Sequence, residues 1–231
     1  MSILGIVPAR GGSKRIPDKN IRGIGGKPMM AHILEAASKA DIFDTIHVST
    51  DSDKVAEVAA ELGFKPDFLR DSALADDQTP LRPVLKWVLE QYITRGLSYD
   101  IIILLMPTAV FVEPKDICQG LELFLKNKAQ TPVMTMARYP APIEWAFEKQ
   151  NKGFFRPLNP RMLEVRSQDL TDKYFDAGLF DIFSKEQILD DDLVGDFKYL
   201  SVEVDSYKVI DIDTLDDLRS AEVVFDGIRL R

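Results

Sequence analysis

The segment Ile101-Ile102-Ile103-Leu104-Leu105-Met106, stopped by Pro107, constrains this chain more than any other feature. Side chains of a strand alternate between two faces, so an unbroken apolar run has to be covered on both. Such a strand belongs inside a parallel sheet with helices packed above and below it. The run is far too short to span a bilayer, which takes roughly 20 apolar residues.

The remaining pattern supplies what that sheet needs. Apolar runs at 3–8 and 45–49 predict two more strands. Residues 28–40 carry Met29, Ile33, Leu34 and Ala37 at helical spacing. Ser52 or Asp53 is placed to cap a helix running to Leu62, with Gly63 behind it. Phe68-Leu69 suits a brief strand. Helices are expected from Pro80 or Leu81 to about Thr94, and over 114–127 with proline in the first turn. The pattern loosens over 135–174, where Tyr139-Pro140-Ala141-Pro142, Trp145, Phe147, Phe154-Phe155, Arg156-Pro157 and Asn159-Pro160 predict an arm of short strands and loops. Strands at 179–183 and 202–204 and a helix at 215–225 then resume it. The expectation is one domain over 1–231 with an inserted arm. Its fold class is α/β, a doubly wound, mostly parallel sheet that binds ligands at the carboxyl ends of its strands.

Charge narrows the ligand. The 231 residues carry a formal net charge of −8, yet the window 10–27 holds six basic residues against the single acid Asp18. Five of the 13 glycines share that window. One basic, glycine-rich island in an acidic chain points to a small anion rather than to nucleic acid, which wants a broad basic face. A single cysteine, Cys118, excludes an internal disulfide and fits a reducing, cytoplasmic setting. Two histidines and one cysteine are too few for a structural zinc site. The N-terminus shows no basic region followed by an apolar stretch, so neither a secretion signal nor a membrane role is expected.

Several constellations carry chemistry. Pro8-Ala9-Arg10-Gly11-Gly12-Ser13-Lys14-Arg15 follows the first predicted strand, and small residues there let backbone N–H groups converge on an anion. It is not a Walker A loop, because Lys27 is followed by Pro28, and it lacks the Gly-x-Gly-x-x-Gly fingerprint. In Asp211-Ile212-Asp213-Thr214 an extended backbone puts both carboxylates on one side, which suits Mg²⁺. The same residues read equally as a helix start capped by Asp213, with Asp216 and Asp217 in the first turn. Ser49 and Asp51 end the second strand, and either contact a ligand or form an ordinary strand-to-helix turn. Arg70 needs an anionic partner if it is buried. Asp76 and Asp77 are placed to cap the next helix. Arg166 and Gln168 suit a carboxylate and hydroxyls, or a solvated loop. His32 and His47 sit in a predicted helix and strand without a nucleophile elbow, so no Ser-His chemistry is expected.

Taken in order, these residues resemble the CMP-sugar-acid synthetases, the acylneuraminate cytidylyltransferases. The resemblance rests on Ile6-Val7-Pro8-Ala9-Arg10-Gly11-Gly12-Ser13-Lys14 with Lys19-Asn20, on Lys27-Pro28, and on Val48-Ser49-Thr50-Asp51. It continues through Leu69-Arg70 with Leu74-Ala75-Asp76-Asp77 to Asp211-Ile212-Asp213-Thr214. Where family members acting on neuraminic acid carry Gln-Pro-Thr-Ser-Pro-Leu-Arg, this chain has Met106-Pro107-Thr108-Ala109-Val110-Phe111-Val112. Where they carry Asn-Gly-Ala, it has Asp176-Ala177-Gly178. Gln168-Asp169-Leu170 and the Asp176 segment look more like the pseudaminic-acid branch. The resemblance implies a Rossmann-like fold of the nucleotide-diphospho-sugar transferase type and transfer of CMP from CTP to a nine-carbon sugar acid. It also implies that Ala9, Arg10, Gly11, Gly12, Ser13, Lys14, Asn20, Ser49, Arg70 and Asp76 bind the nucleotide. Thr108, Arg166, Gln168 and Asp176 would face the sugar acid, and Lys19 would offset charge on the leaving pyrophosphate. Asp211 and Asp213 would hold Mg²⁺, and the arm would join two copies in a homodimer. Neuraminic or legionaminic acid is the alternative substrate; Kdo fits less well, because its synthetases generally lack Lys-Asn. A nucleotide-binding subunit without catalysis is the alternative from another class.

Overall fold

The structure, a computed structural model, describes residues 1–191 and 198–229. Its centre is a six-stranded sheet made of β1 (Ile3–Pro8), β4 (Thr45–Ser49), β5 (Ile101–Leu105), β6 (Val133–Arg138), β9 (Tyr174–Ser184) and β10 (Leu200–Glu203). Their order across the sheet is β10-β6-β9-β5-β1-β4. The pairs β1–β4, β1–β5 and β10–β6 are parallel, while β9 runs antiparallel to both β5 and β6. The sheet is therefore mostly parallel.

All residues of β5 are buried, and they divide between two cores. Ile101, Ile103 and Leu105 pack with Ile3 and Val7 beneath α1 (Met29–Ala40), α2 (Asp53–Glu61) and α4 (Pro114–Lys126). Ile102 and Leu104 pack with Leu4 and Ile6 on the opposite face, beneath α3 (Leu81–Thr94) and α5 (Lys185–Leu189). A third cluster joins Ile16, Ile24, Phe111 and Ile212 to Leu218 and Ala221 of α6 (Leu215–Arg229). Ser52 caps α2 by accepting from the Val55 N–H, and a Glu113–Asp116 capping box starts α4.

Three expectations need correcting. Phe68-Leu69 is not a strand. Its one ladder-like bond runs from Arg70 N to Thr50 O (2.7 Å), and the Phe68 ring stacks on His47 with centroids 4.4 Å apart. Phe68 packs among the rings of His47, Trp87 and Tyr92, and the segment adds no strand to the sheet. The strand expected at 179–183 begins five residues earlier, at Tyr174. Residues 135–138 of the expected arm belong to β6. The chain leaves the sheet after Arg138 and returns opposite it, with Arg138 paired to Tyr174, so the excursion 139–173 closes one long antiparallel hairpin. It carries a small hairpin of β7 (Phe147–Lys149) and β8 (Phe155–Pro157) and several 3-10 turns. The β6–β9 register slips between Met134 and Met136, where Thr135 Oγ1 accepts from Leu179 N (3.2 Å). The minor antiparallel pair β2 (Gly23–Ile24) and β3 (Lys27–Pro28) precedes α1.

Asp181 of β9 is a carboxylate set within the sheet. Burial, with a smaller push from Asp176, lifts its carboxyl to about 7, and Oδ1 has no hydrogen-bond partner. The folded state thus keeps a proton that the unfolded chain, with its ordinary value of 3.8, has released. Stability from this group is full below about pH 3.8 and is lost as pH rises through about 7. Chemical denaturation across pH 4 to 8 should show Asp181→Asn gaining at least ~1 kcal/mol on the wild type toward the alkaline end; parallel curves would refute the assignment.

Candidate active site

Strand order places the site. β1 lies between β4, which follows it, and β5, which comes later, so the chain's direction of progress across the sheet reverses there. At the carboxyl ends of these strands opens a cleft of about 330 Å³. Its walls come from the loop after β1, the segment before α3, the turn after β5 and the approach to α6.

The β1 loop is pinned from behind. Ala9 N donates to Ser49 O (2.9 Å), Gly11 N to Asp51 Oδ1 (2.9 Å), and Asn20 Nδ2 to Arg10 O (2.9 Å). Gly11 presses on the start of α2, where a Cβ would come within 2.6 Å of Ser52 Cβ; a Cβ on Gly12 would meet nothing within 4 Å. The loop leaves Arg10, Ser13, Lys14, Arg15, Lys19 and Asn20 facing the cleft.

Carboxylates face these cations from distant segments. Arg10 Nη2 meets Asp77 Oδ1 at 2.7 Å, and Lys14 Nζ contacts Asp77 Oδ2. Arg15 Nη2 and Lys19 Nζ reach Asp213 at 2.7 and 3.0 Å. Arg70, only 6% exposed, donates through Nε to Ser49 Oγ (3.0 Å). Burial pulls its guanidinium down to about 10, opposed by the Asp51 charge, so it stays charged at neutral pH.

Asp211 and Asp213 both line the cleft, while Ile212 between them is buried against Phe111 and Leu218. The backbone between them is not extended as expected: Asp213 N donates to Asp211 O (3.1 Å), a tight turn at Ile212 that still brings both carboxylates to the cleft. Asp213 is not the cap of α6, because Thr214 is. Its Oγ1 accepts from Asp217 N (3.2 Å), and Asp217 Oδ2 accepts from Thr214 N (2.7 Å). Upstream, buried Lys208 ties this approach to the start of α4 through Glu113 (2.7 Å) and Asp116 (2.6 Å). Burial, and then the neighbouring Asp213 charge, raise the Asp211 carboxyl above its ordinary range. Among the described residues no hydrogen bond reaches that carboxylate, and no third acidic, histidine or cysteine ligand joins the pair.

Of the sequence-derived candidates, Arg10, Ser13, Lys14, Lys19, Asn20, Arg70, Asp76, Thr108, Asp211 and Asp213 converge on the cleft. Ala9, Gly11, Gly12 and Ser49 do not line it; Ala9 and Ser49 are buried behind it. Asp76 spends its carboxylate on its own turn, accepting from Gln78 N and Thr79 N, rather than capping α3, whose N-cap is Pro80 and has no side-chain hydrogen bond. Arg166, Gln168 and Asp176 do not line this cleft. Arg166 pairs with Asp169 on the excursion (2.9 Å), and Asp176 Oδ1 accepts from Gly178 N (2.8 Å) at the β6–β9 irregularity. Sequence reasoning passed over Arg15 and Asp77 as ligand-facing groups. Arg15 was signalled by its place in the basic window; Asp77 had no signal beyond its neighbour Asp76.

Fold and cleft together define an α/β protein with a site of opposed charges at the switch point of its sheet. Comparison with known proteins makes the class specific. The cytidylyltransferase family pattern matches residues 4–202, and the chain belongs to that family of nucleotidyltransferases. It is 34% identical over 227 residues to a pseudaminic acid cytidylyltransferase of Campylobacter jejuni, covering 97% of each chain. It is 37% identical over 123 residues to a CMP-N,N'-diacetyllegionaminic acid synthase of Legionella pneumophila, covering 53% of each. Among solved structures, a CMP:2-keto-3-deoxy-manno-octonic acid synthetase complexed with CTP superposes with a TM-score of 0.72 at 17% identity, over 98% of this chain and 99% of that one. At that identity the likeness speaks for the fold.

The glycine geometry is directly testable. Gly11→Ala should lower the unfolding free energy by about 1–3 kcal/mol through the clash with Ser52, while Gly12→Ala should stay within about 0.5 kcal/mol of the wild type. Equal urea midpoints for the two variants would contradict the close approach.

Proposed function

We propose that this protein transfers CMP from CTP to pseudaminic acid, a nine-carbon 2-keto sugar acid, releasing pyrophosphate. The observation that carries the reading is the cleft itself, where Arg10 and Lys14 meet Asp77, Arg15 and Lys19 meet Asp213, and Asp211 lines the same wall at the switch point of the sheet. The full-length similarity to a pseudaminic acid cytidylyltransferase supports the choice of acid. The similarity to a legionaminic acid synthase keeps legionaminic acid as the second reading.

In the reaction the anomeric hydroxyl attacks the α-phosphorus of CTP. The new bond joins the sugar oxygen to that phosphorus, and the bond to the bridging oxygen of the pyrophosphate breaks. Such transfers need alignment and neutralisation of charge more than covalent help from the protein. The β1 loop, pinned to Ser49 and Asp51, presents Ser13, Arg10 and Lys14 to the triphosphate. Lys19 is placed to neutralise the leaving pyrophosphate. Arg70, fixed by Ser49, and Asn20, fixed by the Arg10 carbonyl, offer rigid donors to the cytidine. Thr108, after β5, stands toward the sugar acid.

The donor set fits one divalent cation. Asp211 and Asp213 offer hard oxygens; among the described residues the Asp211 carboxylate takes no hydrogen bond and no third ligand joins the pair, which leaves room for phosphate oxygens and water. Mg²⁺ bound there would neutralise phosphate oxygens and polarise the attacking hydroxyl. Asp213 would exchange its pairs with Arg15 and Lys19 for that ion.

Arg166 and Gln168 enter the proposal through a homodimer. They lie on the excursion 139–173, away from their own chain's cleft, so a sugar acid would meet them in a partner's site. The excursion also bears apolar side chains that a second copy would cover, among them Phe154 (69% exposed) and Leu158 (66%). We place the enzyme in the cytoplasm, where CTP is made and a lone cysteine stays reduced. No helix among the described residues is long and apolar enough to cross a membrane.

Pyrophosphate release measured with CTP, Mg²⁺ and a panel of sugar acids should be fastest with pseudaminic acid. A faster rate with legionaminic or neuraminic acid would reassign the substrate, and silence with every acid despite CTP binding would favour a non-catalytic subunit. Asp213→Asn should cut turnover by at least ~100-fold, and Arg166→Ala should raise the KM for the acid. If the excursion completes the partner's site, co-refolding the two variants restores one intact site per mixed dimer and recovers activity; no recovery would refute that sharing.

A further inference from the structure

The cations that the triphosphate needs are already engaged. Asp77 takes both, with Oδ1 on Arg10 Nη2 at 2.7 Å and Oδ2 on Lys14. Arg10 is held further by its Nη1, which donates to the Asp76 carbonyl at 2.6 Å. The two adjacent aspartates differ in what their carboxylates do. That of Asp76 accepts from Gln78 N, Thr79 N and Thr79 Oγ1, and so builds the turn. That of Asp77 contacts Arg10 and Lys14 alone among the hydrogen bonds and ion pairs of the described residues. It joins the β1 loop to the segment before α3 across the mouth of the cleft.

A guanidinium edge and an ammonium that grip one carboxylate cannot grip a phosphate in the same geometry. We infer that Asp77 is a built-in competitor of phosphate: it holds Arg10 and Lys14 in the free protein, yields them to the incoming triphosphate, and reclaims them as pyrophosphate departs. The inference rests on the reading of this cleft as the CTP site only in placing the phosphates at Arg10 and Lys14.

Two consequences follow from charge. Half-exposed pairs of this kind are weak, so a multiply charged polyphosphate displaces Asp77. The displacement still opposes binding of every ligand that uses the two cations, and it leaves a ligand that does not use them untouched. Asp77 therefore weakens CTP and pyrophosphate alike, spares cytidine, and keeps a tightly charged product from occupying the site. A carboxylate that merely preorganised the two cations would act in the opposite direction, since its loss would let them wander and weaken phosphate binding.

The experiment compares wild type, Asp77→Asn and Asp77→Ala at fixed ionic strength. Pyrophosphate and CTP are titrated by calorimetry, cytidine by NMR shift, and pyrophosphate dissociation is followed by stopped flow. Both variants should bind pyrophosphate and CTP at least about five-fold tighter, release pyrophosphate more slowly, and bind cytidine as the wild type does. Unchanged or weaker pyrophosphate binding overturns the inference, and so does an equal gain for cytidine, which would mean a change not confined to the two cations. The pyrophosphate arm stands apart from the nucleotide. A wild type that binds pyrophosphate but not CTP overturns the cytidine reading, while the variant comparison still decides the role of Asp77.

Discussion

Strand β5 has no polar side, and the position of the cleft follows from covering it. Helices on both faces are the only way to bury Ile101, Ile103 and Leu105 on one side and Ile102 and Leu104 on the other. Helical crossovers between parallel strands send every connecting loop of one kind to the carboxyl ends. Because β1 was laid down first and neighbours were added on both of its edges, the loop after β1 sits where two crossovers diverge. A basic, glycine-rich loop at that point faces whatever the later segments bring to it.

What they bring is negative charge. Asp77 arrives from the segment before α3 and Asp213 from the approach to α6, and each takes two of the loop's cations. The free protein thus resolves its own charge contrast by internal pairing. In the proposed reaction a polyphosphate with a divalent ion would satisfy the same groups in exchange, the phosphates replacing the carboxylates and the ion replacing the cations. Such an exchange would tie ligand affinity to the strength of the internal pairs.

The second half of the chain departs from simple winding in one place. β9 re-enters the sheet antiparallel because the excursion 139–173 leaves and returns at the same end. That end is also the end of the cleft. An insertion there extends a protruding, partly apolar surface from the rim of the site without disturbing the buried strands, and a chain can vary it at little cost to the fold.

Periodicity made most of the fold legible in the sequence. β1, β4 and β5 and the helices between them lie where alternation, helical spacing and caps put them, because those signals are local. The basic loop was legible for the same reason, because composition concentrated its cations; spacing flagged Asp211 and Asp213, but a tight turn at Ile212 and not strand alternation brings both to the cleft. Phe68-Leu69 was misread because only Phe68 packs inward, by stacking on His47, a contact absent from its neighbourhood in the chain, while Leu69 stays exposed. The antiparallel sense of β9 depended on where a 35-residue excursion returned. The sequence by itself determined the class of fold and the sign of the loop, since both are written in neighbouring residues. Only the tertiary structure decided that Asp77 and Asp213 oppose those cations while Arg166 and Gln168 do not join them, because such pairings link residues dozens to nearly 200 positions apart and are set by how strands and loops meet.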